Sequence, residues 1–227
     1  MWTMRATVPL LLLCLPGPVS APAQTRALPL DAPGAVRPHR VKIETVTFQG
    51  RKALRVAEAP GEEGEDRLAI LTGTEFQSGA IEIDLAGAPG PGAAAQARGF
   101  IGVAFRVAAG AAKFECFYLR PTNGRADDQV RRNHSLQYIS FPDFPWPRLR
   151  QEFPEKYESY TDLVPAEWTP VKIEVQGDRA RLYVHGAEQP ALLVNDLKLG
   201  ASAKGAIALW IGPGTVGHFA NLRVTPR

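Results

Sequence analysis

The fold of this chain is decided in residues 113–138, which read KFECFYLRPTNGRADDQVRRNHSLQY. The first eight residues, 113–120, alternate side chains between two faces, which predicts a β-strand. The remaining residues form a polar stretch with far more charge and hydrogen-bonding capacity than a connection between strands requires. Because binding residues concentrate on loops that a rigid scaffold positions, the polar half of this stretch predicts a site.

Strand patterns continue on both sides of this stretch. Residues 80–85 alternate apolar with polar side chains, so that Glu82 and Asp84 face solvent in the predicted strand. Residues 99–107, GFIGVAFRV, are almost wholly apolar and predict a strand buried on both faces. Residues 168–185 predict a hairpin, because two alternating segments flank a Gly-Asp turn.

The whole chain has this all-β character. About a dozen short strands with turn residues between them are expected, and no segment has a sustained helical period. The absence of a repeat of fixed length disfavours a propeller or a solenoid. The sequence therefore predicts an all-β sandwich of two antiparallel sheets.

The amino terminus has the features of a secretory signal peptide at residues 1–23. Arg5 precedes the apolar run VPLLLLCL, and small residues follow up to Ala23. The apolar run is too short to span a bilayer, which takes about 20 residues. We therefore expect a secreted or periplasmic protein without a membrane span. A flexible, proline-containing leader is expected at residues 24–40, followed by one domain at residues 41–227.

Charge and cysteine content narrow the function. The net charge is +3 and the basic residues are scattered among acids, which argues against nucleic acid as a partner. Removal of the signal peptide would leave one cysteine, Cys116, so no internal disulfide is expected. Its place on an apolar strand predicts a buried side chain, although His134 could serve as its base if it were a nucleophile.

Several segments together resemble a known superfamily: residues 76–85, GFIGVAFRV, FECFYLRPTNGRADDQ, VKIEVQGDRARLYVHG and GAIALWIGPGTVGHFANLRV. Their order and spacing resemble the concanavalin A-like lectins and glucanases over residues 41–227. Within that superfamily the chain looks like the branch of laminin-G-like domains and 3-keto-disaccharide hydrolases. The resemblance implies a jelly-roll sandwich with any ligand site on its concave sheet or rim loops. This fold hosts lectins, hydrolases and interaction modules alike.

The catalytic pattern of the family 16 glycosidases of this fold is incomplete here. That pattern is Glu-x-Asp-x-x-Glu on one strand, and Glu82 and Asp84 match its first two positions. Gly87 occupies the third. A retaining glycosidase needs two carboxylates about 5–5.5 Å apart, so the mechanism does not carry over. Hydrolysis of a modified saccharide remains an alternative that rests on the resemblance.

We expect a saccharide ligand at the polar loop, because arginine forks and carboxylates bind sugar hydroxyls and a rigid tryptophan stacks on a pyranose. The predicted ligand-binding residues are Arg120, Asn123, Arg125, Asp127, Asp128, Arg131, Asn133, His134, Tyr138 and Trp146.

Other interpretations of these residues remain open. The loop charges could pair with one another as a structural clasp. Asp127, Asp128 and Asn123 could ligate calcium, although no cofactor is expected. Trp146 could cover the core, and the domain could be a non-catalytic interaction module.

Overall fold

A computed structural model describes Trp2, residues 24–62, Gly64 and residues 66–227. The predicted signal peptide therefore lies outside the described residues, apart from Trp2. The strands are β1 (Arg26–Ala27), β2 (Val36–His39), β3 (Val41–Phe48), β4 (Arg51–Glu58), β5 (Leu68–Leu71), β6 (Gly79–Pro89), β7 (Ile101–Val107), β8 (Phe114–Leu119), β9 (Leu136–Phe141), β10 (Glu158–Ser159), β11 (Thr169–Gln176), β12 (Arg179–Val184), β13 (Leu192–Val194), β14 (Ala206–Ile211) and β15 (Thr215–Pro226). The helices are α1 (Gln129–Asn133) and α2 (Trp146–Glu152), with 3-10 turns at Ala109–Ala111 and Pro121–Asn123.

The strands form two antiparallel sheets, which confirms the predicted β-sandwich. The first sheet has the order β13-β12-β11-β6-β15-β4-β3, with β1 beside β15. The second sheet has the order β10-β9-β8-β7-β14-β5-β2. The last two long strands, β14 and β15, lie in different sheets, so the turn between them carries the chain from one layer to the other.

Alternating apolar side chains build the core between the sheets. In β6 the residues Ile81, Ile83 and Leu85 are buried while the intervening residues are partly exposed, as the sequence predicts. All residues of β7 are buried, as the apolar composition of residues 99–107 predicts. All residues of β8 are buried as well. Burial of so much apolar surface is the main favourable term in the stability of the domain.

The segment 24–40 differs from the flexible leader expected from its prolines. It supplies β1, which pairs with β15, and β2, which pairs with β5 at the edge of the second sheet. Pro38 lies within β2, and an edge strand tolerates proline because one side of its backbone has no partner strand. Its proline content therefore predicted a flexible segment where the structure has two paired strands.

The two α-helices were also not predicted. Each is no longer than two turns, and α1 has no buried residue. A helix this short gives no detectable 3.6-residue apolar period in the sequence. Among the described residues, the helices fall short of the length and apolar character that a membrane crossing requires.

Candidate functional site

The candidate site is built on the face of the second sheet that points away from the first sheet. A Cβ atom placed on Gly217 of the first sheet would touch Ile101 and Ile211, so those residues mark the inner face. Strand alternation puts Tyr118 and Gln137 on the opposite, outer face. The strand register then aligns Tyr118 with Gln137, and Gln137 with Glu158 of β10.

Arg120, just after β8, joins this row of polar residues. Its side chain is only 6% exposed and donates four hydrogen bonds. Nη1 donates to the His134 carbonyl at 2.9 Å and to Glu158 Oε1 at 3.1 Å. Nη2 donates to Tyr118 Oη at 3.0 Å and to Gln137 Oε1 at 2.9 Å. A buried charge is tolerated only when it is paired and hydrogen-bonded in this way.

A second arginine completes the cluster around Glu158. Arg150 Nε donates to Glu158 Oε2 at 3.0 Å, and its Nη2 donates to Oε1. Burial raises the pKa of Glu158, but the hydrogen bond from Arg150 and the charges of Arg120 and Arg150 outweigh it, so the pKa lies below its usual value. Glu158 is therefore an ionised carboxylate held between two guanidinium groups and is a poor proton donor.

His134 lies at the edge of the same cluster. Its Nε2 is 3.6 Å from Glu158 Oε2. Burial lowers the pKa of His134, against the opposing effect of Glu158, so the imidazole is mostly neutral at neutral pH. A neutral imidazole can donate or accept a hydrogen bond with a ligand hydroxyl.

Trp146 forms the exposed part of this cluster. It begins α2 directly after Pro145, and Arg150 lies four residues later on the same helix face. The guanidinium carbons of Arg150 and Arg120 lie 4.8 Å and 5.9 Å from the Trp146 ring centroid. These cation–π contacts fix the indole, and 41% of Trp146 remains exposed. The ring is therefore held in place and still accessible to a ligand. We call Trp146, Arg150, His134, Arg120 and Glu158 the tryptophan–arginine cluster.

Several charged residues of the predicted loop contact residues 158–163 instead of one another. Arg125 makes two hydrogen bonds of 2.8 Å to Asp162, and Arg132 Nη2 donates to Tyr160 Oη at 3.1 Å. The segment also passes so close to Gly124 that an added Cβ would lie 2.3 Å from the Leu163 nitrogen. Arg125 and Arg132 therefore act as a structural clasp, but they join the loop to residues 158–163 and do not pair with other loop residues.

The remaining loop residues have mostly local roles. Asp128 accepts a hydrogen bond of 2.8 Å from the Arg131 backbone and so caps α1. Asn133 accepts a bond of 2.7 Å from Gln129. Asn123 donates to the His134 carbonyl at 3.2 Å. Asp127 is exposed.

Tyr138 is separated from the rest of the predicted site. It follows Gln137 in β9 and therefore points to the inner face of the sheet, where it is fully buried. Its hydroxyl donates to Glu115 and accepts a bond of 2.9 Å from the Lys198 backbone. Strand alternation alone separates Tyr138 from Arg120, and the sequence would have shown this had the register of β9 been known.

Sequence reasoning missed Arg150, Gln137 and Tyr118 as site residues and did not include Glu158 in the binding set. The one local signal was the spacing of Trp146 and Arg150, which is meaningful only if residues 146–152 are helical. For metals, the structure offers no group of three or more His, Cys, Asp or Glu side chains suited to hold an ion within the described ranges.

The sequence matches no protein-family model and no curated protein. Two solved structures from Bacillus subtilis share its architecture. The carbohydrate-binding module CBM66 is 12% identical with a TM-score of 0.58, and the match covers 84% of this chain and 96% of the module. A protein of unknown function with a galectin-like fold is 10% identical with a TM-score of 0.51, and the match covers 83% of this chain and 90% of that protein. At these identities the likeness concerns the fold alone, and it agrees with the predicted jelly-roll sandwich of two antiparallel sheets.

Proposed function

We propose that this protein is a secreted or periplasmic carbohydrate-binding protein whose saccharide ligand binds at the tryptophan–arginine cluster. The exposed indole of Trp146 would stack on the apolar face of a sugar ring. Arg150 and His134 would donate hydrogen bonds to its hydroxyls. The likeness in fold to a solved protein that is named a carbohydrate-binding module supports this proposal.

The proposal rests mainly on Trp146, whose ring is held in place by neighbouring arginines and is still accessible to a ligand. Two arginines lie within 6 Å of its ring, and those arginines are held in turn by Glu158. A side chain that is already ordered loses little conformational entropy when a ligand binds. An indole that served only to cover the core would have no need of such exposure.

The polar loop would contribute to the rim of this site. Arg131 is exposed, and its hydrogen bonds to Thr122 and Asn123 are long, at 3.5 Å. It can therefore turn toward a ligand at small cost. In this proposal Arg120 and Glu158 position the outer groups and do not contact the ligand themselves.

The hydrolase alternative has weaker support. Placement in the laminin-G-like and 3-keto-disaccharide hydrolase branch remains a prediction from the sequence resemblance. The carboxylate of the tryptophan–arginine cluster is Glu158, and its two arginines keep it ionised. A glycosidase needs one protonated carboxyl beside a second carboxylate. We therefore give binding precedence over hydrolysis.

The test is a glycan array followed by calorimetric titration of the exported protein. We expect Trp146→Ala to weaken binding of the selected glycan about tenfold or more, because truncation of a central aromatic typically costs about 2 kcal/mol or more. Leu193→Ala is the control, since Leu193 is 50% exposed and lies on β13 of the other sheet. Equal affinities for the two variants would contradict the proposal and favour an interaction module.

A further inference from the structure

The outer face of the first sheet carries a depression, whereas the tryptophan–arginine cluster lies on the outer face of the second sheet. Its volume is about 480 Å³, which lies in the range of small-molecule sites. The polar lining comes from β6, β11, β12 and β15 and consists of Glu82, Asp84, Lys172, Tyr183, Asn221 and Arg223. Sequence alternation predicts only that Glu82 and Asp84 face solvent.

An irregularity in β15 shapes this depression. The pairing of β15 with β6 shifts register between Ala220 and Arg223, and Asn221 there has a positive φ of 57°. The bulge lets Asn221 Nδ2 donate to Asp84 Oδ2 at 2.7 Å. Bulges of this kind re-aim side chains and occur more often than average beside functional sites.

Two charged side chains that face each other in the depression, Glu82 and Arg223, are available to a ligand. Arg223 lies directly opposite Glu82 in the sheet register. Within the part of the chain that the structure describes, neither side chain forms a hydrogen bond or an ion pair. By contrast, Asp84 binds Arg51 at 2.9 Å, and Lys172 binds Glu174 at 2.9 Å. A donor and an acceptor are thus left available side by side.

The charge balance indicates the class of ligand. The charged side chains that line the depression are Glu82, Asp84, Lys172 and Arg223, and their charges cancel. A neutral lining with donors and acceptors suits an uncharged polyhydroxylated molecule better than an ion. The ring of Pro170 adds an apolar wall.

We propose that this depression is a second binding site for a neutral saccharide. Glu82 accepts hydrogen bonds from ligand hydroxyls, and Arg223 donates to them. The proposal does not depend on binding at Trp146. A protein with sites on both sheets could hold two chains of a polysaccharide or two segments of one chain, which strengthens attachment through avidity.

The proposal is tested by nuclear magnetic resonance titration of the exported protein with cellobiose, maltose, sucrose and lactose. We expect at least one of these to shift the signals of Gly186, Ala187 and Asn221, which line the depression. Glu82→Gln should weaken that binding about tenfold, since a hydrogen bond to a charged group contributes about 1.5–3 kcal/mol. Glu44→Gln is the control, because Glu44 does not line the depression and its exposed side chain pairs with exposed Arg55 at 3.3 Å.

The variant Trp146→Ala separates the two sites. It should leave the shifts at Gly186 and Asn221 unchanged even if it abolishes binding elsewhere. The proposal is overturned if none of the four disaccharides shifts these signals, or if Glu82→Gln binds as well as Glu44→Gln. It is also overturned if calcium chloride, glucuronate or glucosamine shifts them more strongly than every neutral sugar.

Discussion

Replacement of Arg120 by methionine tests whether the buried cluster stabilises the domain. Methionine retains much of the volume and flexibility of the arginine stem but provides no hydrogen-bond donors. The substitution removes all four hydrogen bonds of the Arg120 side chain. It also leaves buried acceptors on Gln137 and Glu158 with fewer partners.

The expected cost follows from burial. Removal of one partner from a truly buried ion pair costs about 3–5 kcal/mol. The Arg120 and Glu158 side chains are 6% and 4% exposed, so this range applies. The lower end is expected because Arg150 still pairs with Glu158. For a domain of this size, 3–5 kcal/mol corresponds to a decrease of about 6–20 °C in melting temperature.

The matched control is Arg125→Met. Arg125 also pairs with a carboxylate, Asp162, at 2.8 Å, but the two side chains are 64% and 52% exposed. Solvent screens such a pair, so little change in stability is expected. Melting of the wild type and both variants by circular dichroism provides the comparison. If Arg120→Met melts within 2 °C or so of Arg125→Met, the cluster does not stabilise the fold as argued.

Two further predictions concern the same region. Folding lowers the pKa of Glu158 below its usual value of 4.5, so the ionised Glu158 stabilises the folded state. This stabilisation is complete above pH 4.5 and is lost as the pH falls through the pKa of the folded state. In acid melts, the difference in stability between wild type and Glu158→Gln should therefore narrow below pH 4.5, and a constant difference would argue against it. Gly124→Ala should lower the melting temperature because its Cβ would lie 2.3 Å from the Leu163 nitrogen. Gly90→Ala should be tolerated far better, because its Cβ would lie 3.1 Å from the Val216 Cγ2 methyl and 3.6 Å from the nearest backbone atom, the Gly214 oxygen.

The sequence by itself determined the strands and their buried faces. Alternation is a local property, and it identified the inward residues of β6 and the doubly buried β7 without any knowledge of neighbouring strands. It also located the polar loop and Trp146. It did not predict the strands β1 and β2 in residues 24–40. A strand at the edge of a sheet is stabilised mainly by pairing with its neighbour, so its own sequence shows only a weak β preference.

Only the tertiary structure decided which polar side chains meet. Arg120 reaches Glu158 because β8, β9 and β10 pair in one register, and Trp146 joins them because α2 packs beside β9. Likewise, Glu82 faces Arg223 through the register of β6 with β15. Sequence periodicity fixes the face of a strand on which a residue lies, but contacts between distant residues depend on strand order and register. Those are set by the packing of the whole core.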